Sequence, residues 1–199
     1  MAFIVAATGN QHKLQEYRQL LGDQKIGIKS LLDYSDYPAP EENGASFKEN
    51  ASIKALAACR YCDVPAFADD SGLEVAALDG RPGIHSSRYA PTDAERIAKL
   101  LDEMKGVTDR RARFVCVIAI AANGEVIETF EGEVSGKILD APRGENGFGY
   151  DPIFQPDGFD KSFAELSSEE KNRISHRARA YAKAKEFVED EMSILDDEF

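Results

Sequence analysis

Positive charge is scarce in this 199-residue chain: 24 Lys and Arg stand against 36 Asp and Glu, a formal balance of −12. A nucleic-acid polymer is gripped by neutralising many phosphates across a broad basic surface, so the deficit argues against DNA or RNA as a partner. It leaves room for a small anionic ligand, which needs only a local pocket of a few cations. Much of the surplus acid lies between Glu186 and Glu198, a run that reads as a solvated tail. Cysteine is sparse as well. Cys59, Cys62 and Cys116 are an odd number, which with the expected cytosolic setting argues against a disulfide framework. Cys59-Arg-Tyr-Cys62 has the C-x-x-C form, yet it closes an expected helix instead of opening one, where the dipole would lower a thiol pKa. No second cysteine pair completes a zinc site. Long apolar runs are missing: nothing approaches the ~18 consecutive apolar residues of a membrane span. The opening Met-Ala-Phe-Ile-Val lacks the basic-then-apolar plan of a secretion signal. These absences lead to the expectation of a cytoplasmic protein with no membrane partner. Repeats, low-complexity tracts and Pro- or Ser-rich linkers are absent too, so residues 1–199 read as a single domain, with 43% hydrophobic residues to build its core.

What is present alternates strand and helix signals. Phe3-Ile-Val-Ala-Ala7 is a short apolar run ending at Thr8-Gly9-Asn10, a buried strand followed by a turn. Leu14, Tyr17 and Leu21 then recur at helical spacing, with Asn10 as N-cap. Ser46-Phe-Lys-Glu49 has capping-box form and opens a second helix to about Cys59, on which Asn50 and Lys54 share a face. Val64 to Ala68 reads as a strand delivering Asp69-Asp70 at its C-terminal end. Thr92-Asp-Ala-Glu95 is another capping box, with Ile97, Leu100, Leu101 and Met104 as its core face. Arg113 to Ala121 is rich in β-formers and meets Asn123-Gly124, a strong hairpin signal, with a return strand over Glu125 to Val134. A Gly- and Pro-rich loop fills 140–151. One helix runs from about Ser167 into the acidic tail, with Ile174, Ala178, Tyr181 and Val188 on its apolar side. The pattern specifies a mixed α/β domain.

Four constellations carry chemistry. The adjacent carboxylates Asp69 and Asp70 sit among apolar residues, where both stay ionised only beside water or a cation. Glu41-Glu42 adds oxygen ligands without neighbouring His or Cys, a set suited to Mg²⁺ or Mn²⁺ more than zinc. Alone, Asp-Asp-Ser-Gly is also a common solvated turn. Thr8-Gly9-Asn10-Gln11-His12-Lys13 leads a turn into a helix N-terminus, offering N–H donors and a lysine charge to an anion, although it is not the Gly-x4-Gly-Lys-Ser/Thr phosphate loop. Gly144-Glu-Asn-Gly-Phe148-Gly149-Tyr150-Asp151 leaves an aromatic ring on a backbone that can approach a planar ligand, or simply returns Phe148 to the core. Glu170-Lys171-Asn-Arg-Ile-Ser-His176-Arg177 gathers cations that would ordinarily be solvated.

Together these segments resemble the inosine triphosphate pyrophosphatase family. The matching stretches are Ala7–Lys13, Glu41–Ala51 with Lys54, Ala68–Val75, Pro82–Ala90, Gly147–Phe154 and Glu170–Arg177. They follow the family's order and span most of the chain. The resemblance implies an elongated mixed sheet with flanking helices, two lobes around a central cleft, and a homodimer. It implies hydrolysis of the non-standard purine triphosphates ITP, dITP and XTP to monophosphate and pyrophosphate with a divalent metal, Mg²⁺ or alternatively Mn²⁺. By resemblance Thr8, Gly9, Asn10, Gln11, His12, Lys13 and Lys54 hold the triphosphate, with Arg88 a further phosphate contact. Glu42 and Asp70 serve the metal, with Asp69 a weaker candidate. Asp70 is the proton acceptor and Ser71 contacts substrate. Phe148, Gly149, Tyr150, Asp151, Lys171, His176 and Arg177 match the base pocket.

The chemistry agrees with that assignment. Water attacking the α-phosphorus builds charge there and on the leaving pyrophosphate, which Lys13, Lys54 and a metal would stabilise while Asp70 orients or deprotonates the water. Lys171 or Arg177 can only donate hydrogen bonds, so a 6-oxo purine is expected over a 6-amino one. Competing expectations are a hydrolase releasing orthophosphate and a nucleotide sensor without turnover. The chain departs from the family at His85, Ser87 and Arg96, which bears on local packing.

Overall fold

A computed structural model describes residues 3–21, 27–34 and 36–196. The apolar-face reading of Leu21, and the acidic run beyond Val188, concern side chains outside those described. The chain forms two compact units. Unit 1 takes Met1–Asp70, Val117–Gly132 and Arg177–Phe199; unit 2 takes Ser71–Cys116 and Glu133–His176. Among the described residues, no helix is long and apolar enough to cross a membrane.

Unit 1 opens with strand β1 (Phe3–Ala6), helix α1 (Gln11–Leu21) and strand β2 (Gly27–Ser30). Helix α2 (Phe47–Cys62) follows, then strand β3 (Ala66–Val75), which continues past Asp70 into unit 2. β1 lies parallel to both β2 and β3, with Val5 opposite Ala66. Strand β4 (Arg111–Ala122) and strand β5 (Glu125–Ile138) are the hairpin that Asn123-Gly124 announces. Its two turn residues have φ of 54° and 79°, the paired positive values of a type I′ turn. The sheet order is β2-β1-β3-β4-β5-β6, where β6 is Phe154–Pro156 and pairs antiparallel with β5. A mixed sheet results, parallel at β2-β1-β3 and antiparallel at β5-β6.

α2 begins where Ser46 predicts. Its hydroxyl accepts from the Glu49 N–H at 3.1 Å, while Glu49 Oε2 accepts from Ala45 N–H, one residue earlier than a standard box. The helix runs to Cys62, beyond the expected Cys59, and buries Ala51, Ala55 and Ala58 as it packs against β1. Helix α3 (Asp93–Glu103) shows the full Thr92/Glu95 box, worth about 1 kcal/mol. It buries Ile97 and Leu100 into the unit 2 core with Phe114, Phe154 and Phe163, and Met104 caps it.

Two expectations are corrected. β3 does not end at Asp69: it carries Asp69-Asp70-Ser71-Gly72 extended through to Val75. Cations from neighbouring helices meet both carboxylates, so a sequence that otherwise favours a solvated turn stays buried in the strand. The single C-terminal helix is two, α4 (Ser168–Ile174) and α5 (His176–Asp196), because Ser175 is extended at φ −67°, ψ 156° and interrupts the helix.

Candidate active site

The period of a strand divides the acidic pair. Successive β residues project to opposite faces, and the partners of Asp69 and Asp70 come from different helices. Tyr17 of α1 packs edge-on to Phe67 at 5.1 Å and near Tyr181 of α5, so α1 and α5 cover the face that Phe67 shares with Asp69. On that face Lys13 Nζ donates to Asp69 Oδ2 at 2.7 Å, and Arg177 Nε lies 3.7 Å from the same oxygen. On the other, α2 presents Asn50 and Lys54. Asn50 Nδ2 donates to Asp70 Oδ2 at 3.3 Å and Lys54 Nζ to Asp70 Oδ1 at 3.1 Å.

These surroundings push the two carboxyls apart. Asp69 is 2% exposed. Burial pushes it up, but Lys13, then Arg177 and Lys54, outweigh burial and hold it well below the usual carboxylate range. Asp70 moves the other way: burial raises it, Lys54 and Lys13 offset this only in part, and the charge of Asp69 adds to the rise. Burial lowers Lys54, yet Asp70, Asp69 and Glu42 together raise it. The reason is a shortage of cations. Glu16, Glu42, Asp69 and Asp70 face Lys13, Lys54 and Arg177, four carboxylates against three cations.

Glu42, half-exposed at its side chain, reaches the same Lys54 ammonium at 3.3 Å. A cation thus already bridges two carboxylates, and the donors are all oxygen. Among the described residues, no group of three or more His, Cys, Asp or Glu side chains is arranged to hold a metal. Two carboxylates alone still suit Mg²⁺, which keeps waters and takes its remaining ligands from substrate phosphates.

The turn before α1 is built as expected. Asn10 Oδ1 accepts from the N–H groups of His12 (2.9 Å) and Lys13 (3.2 Å), and Thr8 Oγ1 accepts from Asn10 N–H. Two first-turn donors are therefore taken by the cap itself, which narrows what the helix end offers an anion. Gly9, Gln11 and His12 are exposed.

Unit 2 assembles the second cluster around Asp151, itself 3% exposed. Its Oδ2 accepts from Phe148 N–H at 3.0 Å and from Lys171 Nζ at 2.7 Å. That ammonium stands 5.0 Å from the centre of the Phe148 ring, itself half-buried. Gly147, at φ +74°, has to be glycine: a Cβ would come within 2.0 Å of Asp151 Oδ2. Tyr150 is buried, and its hydroxyl donates to Ser86 O at 2.9 Å; burial pushes its phenol up. His176 stacks on Phe114, 4.8 Å between centres and 11° between planes. Ser71 is half-buried and Arg88 exposed.

Arg177, expected in the base pocket, is placed by its contacts against acidic side chains. It is buried in unit 1, where its guanidinium pairs with Glu16 and approaches Asp69. The sequence reading missed Asn50 as a partner of Asp70. Its signal was a polar residue one turn before Lys54 beside the alanine face of α2, and Asn50 is fully buried there. Cys59 and Cys62 close α2 as free thiols, Cys62 beside Tyr34.

Fold and site define a mixed α/β protein with two polar clusters: carboxylates and lysines in unit 1, and an aromatic with a lysine–aspartate pair in unit 2. The chain belongs to the Ham1 family, whose model matches residues 4–187. It is 50% identical to a dITP/XTP pyrophosphatase of Geobacillus kaustophilus, covering 94% of each chain. It shares the same identity with a dITP/XTP pyrophosphatase of Desulfotalea psychrophila, over 92% of this chain and 83% of that one. The solved Ham1 protein of Coxiella burnetii superposes with a TM-score of 0.88 at 43% identity, over 96% of this chain and all of that one.

Proposed function

We infer that this chain hydrolyses the non-standard purine triphosphates ITP, dITP and XTP to the nucleoside monophosphate and pyrophosphate, removing them from the nucleotide pool. The observation that carries the reading is Asp70, a buried carboxylate with a raised pKa that is held by Lys54 and Asn50 beside Glu42. A base must be near its operating pH to take a proton and still be regenerated, and burial moves Asp70 in that direction.

In this mechanism a water attacks the α-phosphorus, the bond to the bridging oxygen breaks, and pyrophosphate leaves. Asp70 takes the proton of the attacking water. Lys54 and Lys13 stabilise the charge that builds on the phosphate oxygens. An ammonium carries three donors, and Asp69 takes one from Lys13 at 2.7 Å, which orients the others. Asp69 stays ionised throughout and works as an anchor for Lys13 and Arg177. Glu42 and Asp70 would hold Mg²⁺, with Mn²⁺ as the alternative, and the ion when bound would neutralise triphosphate charge. Thr8 to Lys13 serve the phosphates, with Arg88 and Ser71 as further contacts.

Unit 2 reads the base. Phe148 offers a ring to the purine, and Lys171, fixed by Asp151, offers a donor that a 6-oxo group satisfies and a 6-amino group does not. Gly149, Tyr150 and His176 shape that pocket, and Arg177 acts through Asp69. The resemblance adds a homodimer, and a cytoplasmic setting is proposed with it. Pyrophosphate release from ITP, XTP, GTP and ATP with Mg²⁺ tests the reading. Turnover of ITP and XTP well above ATP is expected from the 6-oxo contact, and discrimination against GTP from the family resemblance; orthophosphate as the product, or equal use of ATP, would overturn it.

A further inference from the structure

Helix α3 begins with an acidic residue that its own cap does not need. Thr92 and Glu95 already exchange the hydrogen bonds that close the helix start: Glu95 N–H donates to Thr92 Oγ1 at 3.2 Å, and Thr92 N–H to Glu95 Oε2 at 2.9 Å. An aspartate at the next position would ordinarily face solvent and complement the helix dipole. Asp93 instead sends Oδ2 across 56 residues of sequence to accept from the Gly149 N–H at 2.7 Å. Its other oxygen accepts from Arg96 Nη1 at 2.6 Å. Arg96 is fixed in turn: Nε donates to Ala90 O at 2.8 Å and Nη2 to Pro91 O at 3.3 Å. The guanidinium therefore ties Asp93 to the segment before the helix and holds its carboxylate in one orientation.

The recipient is the loop that carries Phe148. Its backbone is pinned at three successive points: Phe148 N–H donates to Asp151 Oδ2, Asp151 N–H donates to Phe148 O at 3.3 Å, and Gly149 N–H donates to Asp93. The first two are internal to the loop and fix only its local turn. The third refers the Phe148–Gly149 peptide to a helix anchored in the unit 2 core. Gly149 at φ +62° is permissive backbone, so that peptide would otherwise be easy to rotate.

We propose that Asp93, oriented by Arg96, is a positioning residue for purine recognition. It holds the Phe148–Gly149 peptide so that the ring of Phe148 and the ammonium of Lys171 present one fixed surface to the base. This rests on reading Phe148–Asp151 as the purine pocket. Asp93 bonds Arg96 and Gly149 and is not one of the residues assigned to the phosphates or the metal, so its loss weakens binding and discrimination while leaving the hydrolytic step intact.

Three variants test it, with two independent readouts. Asp93→Ala removes the acceptor; Asp93→Asn keeps an oxygen for Gly149 N–H; Arg96→Gln loosens the carboxylate without removing it. The first readout is steady-state kinetics on ITP and ATP with Mg²⁺. D93A is expected to raise KM for ITP about tenfold, the scale of one charge-assisted hydrogen bond, with kcat within about threefold of wild type. The ITP-over-ATP preference narrows, D93N recovers most of KM, and R96Q falls between. The second readout is the Gly149 amide resonance in ¹⁵N-labelled protein without nucleotide. A short bond to a carboxylate shifts it downfield and protects it from exchange; both signatures vanish in D93A and return in part in D93N. An unchanged KM in D93A, a loss confined to kcat, or D93N behaving as D93A while its Gly149 amide stays protected overturns the proposal. Absence of turnover in the wild type would instead remove the functional reading, and the amide measurement would still decide whether Asp93 holds the loop.

Discussion

Asp70→Asn should nearly abolish turnover and leave the fold as stable as before, or more so. Asp70 is 8% exposed, and its raised pKa comes first from that burial and then from the charge of Asp69, with Lys54 and Lys13 only partly compensating. A folded pKa above the unfolded one means that the folded chain holds the proton more tightly. Stability then falls as pH rises through the folded pKa, because ionising Asp70 costs more in the folded chain than in the unfolded one. Asparagine removes that penalty. It also removes the partner of Lys54, but Lys54 keeps Glu42 at 3.3 Å. The two terms oppose, so Tm should lie within about 4 °C of wild type or above it, since ~1 kcal/mol moves the Tm of a chain this size by about 2–4 °C. Activity has no such compensation. A positioned base contributes ~10²–10⁴ in rate, or about 3–5.5 kcal/mol of barrier. Pyrophosphate release from ITP and scanning calorimetry on the same preparation measure both. Wild-type turnover in D70N would refute the assignment, and so would a Tm lowered by more than about 10 °C, because Asp70 would then be structural.

Asp69→Asn should behave in the opposite sense. Burial raises Asp69 but Lys13, Arg177 and Lys54 lower it further, so its folded pKa lies below its unfolded one and its stabilisation is present at neutral pH. Urea titration should find D69N about 3–5 kcal/mol less stable at pH 7, as when one partner of a buried pair is removed. The gap should shrink as pH falls below about 4, where the unfolded carboxyl takes up its proton; a gap independent of pH would contradict this. Asn50→Ala takes a donor from Asp70 and an acceptor from Gly44 N–H, which Asn50 Oδ1 meets at 2.9 Å, so unfolding experiments should show a loss of about 1–3 kcal/mol with reduced kcat. Lys171→Met leaves Asp151 buried without its cation, and the ITP-over-ATP ratio of kcat/KM should collapse toward unity; a preserved ratio would place base reading elsewhere.

Local signals in the sequence were legible and long-range charge was not. Ser46, Thr92 and Asn123-Gly124 each act through hydrogen bonds or φ values within a few residues, and all three appear where their chemistry puts them. Asn50 and Lys54 on one helical face followed from spacing alone, and both reach Asp70. The end of β3 failed because Asp-Asp-Ser-Gly is turn-like until the cations that neutralise it are known. Those cations lie 56 residues away at Lys13 and further still at Arg177. Arg177 follows His176 directly, yet after the break at Ser175 its guanidinium pairs with Glu16, 161 residues back, a partner that no local spacing announces. Arg96 was read as a matter of local packing; its contact with Asp93 places it one residue from Gly149.

The continuation of β3 through the acidic pair is what gives two identical side chains different chemistry. In a turn, both carboxylates could face the same solvent and neither would be distinguished. In a strand they must part, one to each face. The face of α1 and α5 supplies two cations to Asp69, enough to overcome its burial. The face of α2 supplies one lysine to Asp70, and Glu42 shares it. Two titratable neighbours whose surroundings drive their pKa values apart are the usual mark of divided labour, one group permanently charged and the other ready to exchange a proton. A slip of β3 by one residue would exchange the two faces and with them the two roles. The register of β3 against β1, set by Val5 opposite Ala66 and Ala6 opposite Phe67, therefore determines which aspartate stands in the place of the proposed base.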